Sequence, residues 1–217
     1  MDIVKLLHSV GIVPVIKMDT PEHAVPLARA LADGGLPAAE ITFRSDAAAE
    51  SIHRIKAAVP DIFLCAGTVL TPQQAQQAAE AGAQAIVSPG LNEETVRWCT
   101  AAGIPVIPGC ATPTEVEACM RLGLSLVKLF PAQVVGGTAM LKALAGPYAA
   151  MRFMPTGGIK PENAADYLRL KNVAACGGTW IVPGDLLAAE RFDEIRQIAA
   201  AAAALRDRVY AEANCAH

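Results

Sequence analysis

Little of this sequence is charged. Asp, Glu, Lys and Arg make up 18% of its 217 residues, and the net charge is −3. A mildly acidic balance argues against a nucleic acid or an anionic membrane as partner, since both select basic surfaces. No apolar run approaches the length of a membrane span. The opening stretch MDIVKLLHSVGIVPVIK also lacks a secretory pattern, because Asp2 opens it and Lys5 interrupts its apolar part. A cytoplasmic location is the expectation. Neither G-x-G-x-x-G nor G-x-x-x-x-G-K-[ST] occurs, so the usual dinucleotide and nucleotide-phosphate loops are missing. The six cysteines (Cys65, Cys99, Cys110, Cys119, Cys176 and Cys215) include no C-x-x-C pair. Most sit in apolar runs, which points to reduced, structural thiols. The four histidines (His8, His23, His53 and His217) form no cluster with Cys, Asp or Glu at metal-ligand spacing. No metal site is expected.

What the chain has in quantity is apolar residues, 53% of the total. That favours a fold whose strands are buried on both faces. Eight short apolar runs recur: IVPVIK (12–17), AAEITF (38–43), IFLCAG (62–67), AQAIVS (83–88), IPVIPG (104–109), LSLVKLF (124–130), MRFMPTG (151–157) and VAACGG (173–178). Between them lie Ala-rich amphipathic stretches with helix start signals. Thr20-Pro21, Thr71-Pro72 and Thr112-Pro113 each pair a cap residue with proline at the first helical position, and Pro161 opens another. Gly82 and Gly123 close two of these stretches. Eight strand–helix alternations within one domain's length predict an α/β fold, a (β/α)8 TIM barrel spanning 1–217 as a single domain. A helix should precede the first strand, and a long one, roughly 186 to 210, should end the chain. A doubly wound open sheet is the alternative, with fewer strands.

Active sites of such barrels lie at the C-terminal strand ends. In the second run, period two puts Glu40, Thr42 and Arg44 on one face and Ile41 and Phe43 on the other. In the sixth, Leu126, Lys128 and Phe130 share a face. Second and sixth strands oppose each other in a ring of eight, so Glu40 and Lys128 can approach at the centre, directly or through water. A buried ion pair is the bland explanation, and such pairs stabilise weakly. The sharper one is carbonyl chemistry, because burial favours the neutral, nucleophilic form of an amine.

Other strand ends add polar candidates. Thr68 follows the third run; Pro89 and the Gly90 backbone follow the fourth. Thr156, Gly157 and Gly158 follow the seventh, and Gly177, Gly178 and Thr179 the eighth. Paired glycines at these last two places match the usual phosphate site of such barrels, although ordinary turns need glycine as well. Lys17, ending the first run, is either a cation at the mouth or a solvated strand-end lysine.

The segments AEITFRS, AGTVLTP, VSPG, IPGCATPTE, VKLFPA, GGTAMLKALAGPY, RFMPTGGIKPENAADYL and GGTWIVP occur in this order over roughly residues 11 to 185. Together they resemble the bacterial 2-keto-3-deoxy-6-phosphogluconate (KDPG) aldolases, also called 2-keto-4-hydroxyglutarate (KHG) aldolases. The resemblance implies a metal-free, cofactor-free class I aldolase, usually a homotrimer. It implies cleavage of KDPG to pyruvate and D-glyceraldehyde 3-phosphate, and of 4-hydroxy-2-oxoglutarate to pyruvate and glyoxylate. The partners are then small 2-keto acids and a phosphorylated aldehyde. Lys128 in VKLFPA is the implied Schiff-base lysine, Glu40 the general acid/base, and Arg44 the holder of the substrate carboxylate. Thr68 belongs to the pyruvate end. Thr156 lies beside the reacting aldehyde, and Gly157, Gly158 and Thr179, with the neighbouring Gly178, belong to the phosphate end. Two departures stand out: Gln133 where family members often carry Glu, and Thr179 where Ser is common. Two readings without a Schiff base remain open. One is a phosphosugar isomerase or synthase barrel, with Lys128 as acid/base or counter-ion. The other is a non-catalytic sugar-phosphate-binding barrel.

Overall fold

The eight apolar runs become nine short parallel strands among the described residues. These are β1 (Ile12–Ile16), β2 (Ala38–Thr42), β3 (Phe63–Gly67), β4 (Ala85–Val87), β5 (Val106–Ile107), β6 (Gly109–Cys110), β7 (Leu126–Leu129), β8 (Arg152–Phe153) and β9 (Cys176–Gly178). The computed structural model describes the backbone of residues 2–215 and the side chains of residues 2–213. His217 and the Cys215 side chain therefore lie outside the described residues. The extra strand arises at Pro108, which has no N–H to donate and splits the fifth run into β5 and β6. Pro108 keeps its acceptor in use: its carbonyl takes the Lys128 N–H at 2.8 Å.

The strands form a six-stranded sheet, in the order β5-β4-β3-β2-β1-β9, and a three-stranded sheet, β6-β7-β8. Every pairing is parallel. Two isolated parallel bridges, Phe153 to Val173 and Thr156 to Gly177, connect the β8 segment to the β9 segment. Parallel pairing needs crossovers. These are supplied by α2 (Ala24–Asp33), α3 (Ala48–Ala58), α4 (Pro72–Ala81), α5 (Glu93–Ala101), α6 (Pro113–Arg121), α7 (Gly137–Ala145) and α8 (Pro161–Leu168), with α1 (Ile3–Val10) before the first strand. The start signals act locally. Thr71 accepts the Gln74 N–H, and Thr112 and Glu115 form a reciprocal capping box. Gly82 ends α4 at φ 107°, a conformation that costs glycine little. Thr20 differs: it precedes a 3₁₀ turn, Pro21–His23, and its side chain caps nothing.

Alternation along the strands separates two apolar layers. Ile12, Ile16, Ile41, Leu64 and Val127 pack outward beneath the helices. Val13, Ala38, Phe63, Cys65, Ala85, Val87, Ile107, Leu126 and Met154 form a second cluster that draws on both sheets. Leu7 and Val10 of α1 belong to this inner cluster. The amphipathic N-terminal helix thus closes the inner core at its N-terminal end, and the opposite end is left to polar side chains. Truncating a buried side chain such as Leu7 to Ala costs about 2–5 kcal/mol.

The final helix differs from expectation. A continuous helix over roughly 186 to 210 is replaced by α9 (Gly184–Ala188) and α10 (Phe192–Cys215). Glu190 between them takes φ 55°, a left-handed conformation that interrupts a right-handed helix. The alanine run lies within α10, as its helix propensity dictates.

Candidate active site

The polar end of the inner core opens into a cavity of about 220 Å³. Its floor is the buried pair found on the second and sixth runs. Glu40 stands at the middle of β2 and Lys128 in β7, and the Lys128 Nζ donates to Glu40 Oε1 at 3.1 Å. Their side chains are 0% and 6% exposed. Removing one partner of such a pair leaves an uncompensated charge, a loss of about 3–5 kcal/mol. The second carboxylate oxygen, Glu40 Oε2, is buried with no hydrogen-bond partner in the structure. An acceptor left over at the floor of a cavity is placed to take a proton from a bound molecule. Lys128 Nζ also lies 5.4 Å from the centre of the Phe130 ring, so the amine is enclosed by the ring and the carboxylate.

Room for the pair comes from β3. A Cβ at Gly67 would overlap the Glu40 carboxylate. Cys65 pairs with Glu40 in the β2–β3 register. Burial pushes its thiol well up, the Glu40 carboxylate pushes it further, and Lys128 opposes the shift. Cys65 therefore stays protonated and is no nucleophile. Thr68, directly after β3, takes φ 57°. A β-branched residue in that region is strained and marks a constrained site.

The remaining lining runs from floor to mouth. Thr156 is buried, and its Oγ1 has no hydrogen-bond partner in the structure. Gly177 faces it closely, since a Cβ there would overlap that hydroxyl. Gly157 and Gly158 follow with φ 101° and 76°, and Gly178 and Thr179 stand across from them in the same lining. Arg44 reaches in from the rim. Its Nε donates to Thr42 Oγ1 at 3.1 Å, and that hydroxyl donates to the Ile16 carbonyl at 2.9 Å. Two strands thus orient a guanidinium whose planar fork suits a carboxylate.

Of the residues singled out in the sequence, Glu40, Lys128, Arg44, Thr68, Pro89, Thr156, Gly157, Gly158, Gly178 and Thr179 share this lining. Gly90 does not line the cavity; its carbonyl accepts from Ser88 Oγ at 2.7 Å. Lys17 does not line it either. It is exposed and paired with Asp19 at 2.7 Å, the solvated strand-end alternative. Phe130, which period two puts on the face of Lys128, lines the cavity as well, and Val15 and Ile159 do so without having been singled out. Val15 was open to detection, since period two puts it beside Val13 on the inner face of β1. Among the described residues, no group of three His, Cys, Asp or Glu is placed to hold a metal ion, and no helix is long and apolar enough to cross a membrane.

The family model for KDPG and KHG aldolase matches residues 3–198. A 2-dehydro-3-deoxy-phosphogluconate aldolase of Treponema pallidum is 50% identical over 193 residues, covering 89% of this chain and 92% of its own. Among solved structures, the KDPG aldolase of Legionella pneumophila, with pyruvate captured at low pH as a covalent carbinolamine, superposes with a TM-score of 0.88. It is 36% identical and is covered over 97% of its length, against 91% of this chain. The aldolase of Zymomonas mobilis, solved with 3-phosphoglycerate, gives a TM-score of 0.86 at 35% identity, covering 93% of this chain and 95% of its own.

Proposed function

The chain belongs to the KDPG and KHG aldolase family and is a lyase, and we propose that it cleaves KDPG by a Schiff-base mechanism at Lys128. The observation that carries this reading is the 3.1 Å approach of Lys128 Nζ to Glu40 Oε1 on the cavity floor. In the proposed course the neutral amine attacks the C2 ketone. The carbinolamine loses water to give an iminium ion. Glu40 takes the proton of the C4 hydroxyl, the C3–C4 bond breaks, and its electron pair moves into the iminium to form an enamine. D-glyceraldehyde 3-phosphate leaves. Protonation at C3 and hydrolysis then release pyruvate and the free lysine. The lysine supplies the electron sink, so no cofactor enters this course.

For the remaining lining residues the proposal takes the roles that the family resemblance implies. Arg44 at the rim receives the keto-acid carboxylate, and Thr68 bounds the pyruvate end. Thr156, with its unpartnered hydroxyl, stands beside the aldehyde carbon. Gly157, Gly158, Gly178 and Thr179 receive the phosphate. The Legionella relative with covalent pyruvate and the Zymomonas relative with 3-phosphoglycerate support these two ends. The same site takes 4-hydroxy-2-oxoglutarate, with a carboxylate in place of the phosphorylated end.

We read the two sheets as one closed (β/α)8 barrel, a single domain over residues 1–217. Support comes from the bridges between the β8 and β9 segments and from an inner cluster shared by both sheets. A cytoplasmic homotrimer is part of the same proposal. Light scattering should then return three times the 22.6 kDa chain mass. The activity is tested by coupling pyruvate release from KDPG to lactate dehydrogenase, with wild type and Lys128→Gln compared after circular dichroism shows both folded. The account expects turnover by wild type and none by the variant. Turnover within tenfold of wild type in the variant would remove Lys128 from the chemistry.

A further inference from the structure

Outside the cavity, among the described residues, a pair of nucleophilic side chains is placed against each other and has no part in the aldol chemistry. Cys110 ends β6 and Cys119 lies in the last turn of α6, nine residues on. Their sulfur atoms are 3.4 Å apart. Both thiols are buried in the outer apolar layer, Cys110 at 2% and Cys119 at 0% exposure. We propose that Cys110 and Cys119 form an oxidation site, which hydrogen peroxide or a related peroxide converts into an intrachain disulfide.

The geometry makes this a short step. A disulfide holds its sulfurs about 2.0 Å apart, so the pair must close by roughly 1.4 Å from the present 3.4 Å. Side-chain rotation supplies a movement of that size. The surrounding chain is well defined: the intervening segment carries the capping box of α6, in which Glu115 accepts from Ala111 N–H and Thr112 N–H at 2.8 and 2.9 Å. The ends of the loop are therefore held in place relative to each other.

Ionisation favours the same pair. The Cys110 thiol hydrogen-bonds to Cys119 and lowers the Cys119 pKa, while Cys110 is held protonated by that bond and by burial. Elsewhere burial works against reaction. The Cys99 thiol is pushed up to about 11, and those of Cys65 and Cys176 are pushed up by desolvation. Thiolate character decides which thiols react with peroxide.

The step balances as follows. The Cys119 thiolate attacks one peroxide oxygen and becomes a sulfenic acid, and the displaced hydroxide takes a proton to become water. The Cys110 sulfur then attacks the sulfenyl sulfur, its proton leaves with the departing hydroxide as a second water, and the S–S bond forms. Two thiols lose two electrons and two protons, and one peroxide becomes two waters. A thiol reductant reverses the bond by exchange.

The test is limited peroxide treatment of the folded protein, followed by alkylation of remaining thiols under denaturing conditions and mass mapping. Trypsin leaves residues 98–121 as one peptide containing Cys99, Cys110 and Cys119. It should carry a single alkyl group, on Cys99, and weigh about two mass units less than that singly alkylated peptide with Cys110 and Cys119 as thiols, whereas the peptide from reduced protein carries three alkyl groups. Cleavage after Glu115 or Glu117 separates Cys110 from Cys119 in sequence, yet the two fragments should stay joined until dithiothreitol is added. Cys110→Ala and Cys119→Ala should each abolish the linked species, and Cys99→Ala should leave it intact. Alkylation of both Cys110 and Cys119 after treatment would overturn the proposal, as would linkage through Cys99 or disulfides between chains. The wild-type map decides even if one alanine variant folds poorly.

Discussion

Glu40→Gln separates the two tasks that the account gives this side chain, ion-pair partner and proton carrier. The substituted amide keeps an oxygen at the position of Oε1, so Lys128 Nζ retains an acceptor at about the 3.1 Å seen now. The charge is lost, and a donor replaces the unpartnered Oε2. Lys128 keeps its acceptor but loses its compensating charge, so the cost lies at or below the about 3–5 kcal/mol of removing a partner outright, and urea unfolding should show a lowered midpoint. The kinetic effect should be larger. An amide cannot take the C4 hydroxyl proton, and a positioned acid/base is worth roughly a hundredfold or more in rate, about 2.7 kcal/mol of transition-state stabilisation. KDPG cleavage and exchange of the pyruvate C3 protons should fall together, because the same carboxylate serves both. Covalent capture of pyruvate should persist, since the amine is unchanged. Cleavage near the wild-type rate would refute the reasoning and reduce Glu40 to a structural partner.

Three further outcomes follow from the same geometry. Gly67→Ala puts a methyl group into the Glu40 carboxylate; it should cost about 1–3 kcal/mol of stability as overpacking and slow turnover, and a urea midpoint and rate equal to wild type would contradict the close approach. Thr179→Ala should remove about 1–2 kcal/mol of preference for phosphorylated over dephosphorylated substrate, read as the ratio of kcat/KM for KDPG and 2-keto-3-deoxygluconate; a ratio near one in wild type would mean that the glycine pairs bind no phosphate. Glu115 is held below its usual value, chiefly by the Ala111 N–H. Its contribution to stability is therefore present above the unfolded carboxylate value of about 4.3 and lost as pH falls through the lower folded value. Glu115→Gln should flatten that acid limb of the stability profile, and an unaltered limb would count against the capping box.

Much of the site is readable from period two alone. Glu40 and Thr42 on β2, and Lys128 and Phe130 at β7, fall on one face because polar residues in an otherwise apolar strand must look where polarity is tolerated. Their meeting follows from placing the second and sixth runs opposite each other. Local pattern is silent on conformations imposed by tertiary contacts. Thr68 at φ 57° looks like any strand-end threonine, and Glu190 looks like a helix residue until the chain must turn between α9 and α10. Lys17 shows the limit from the other side. Its position suits a mouth cation, but the nearby Asp19 holds it in solvent. The closing of the inner core by Leu7 and Val10 depends on where α1 folds back, which no spacing within α1 specifies.

The central claim, that Lys128 forms the Schiff base, is tested most directly by borohydride reduction in the presence of pyruvate. The account predicts inactivation, with one reduced pyruvyl group per chain found on the peptide carrying Lys128. An adduct on Lys17 or Lys142 instead, or full activity with no adduct, would contradict it.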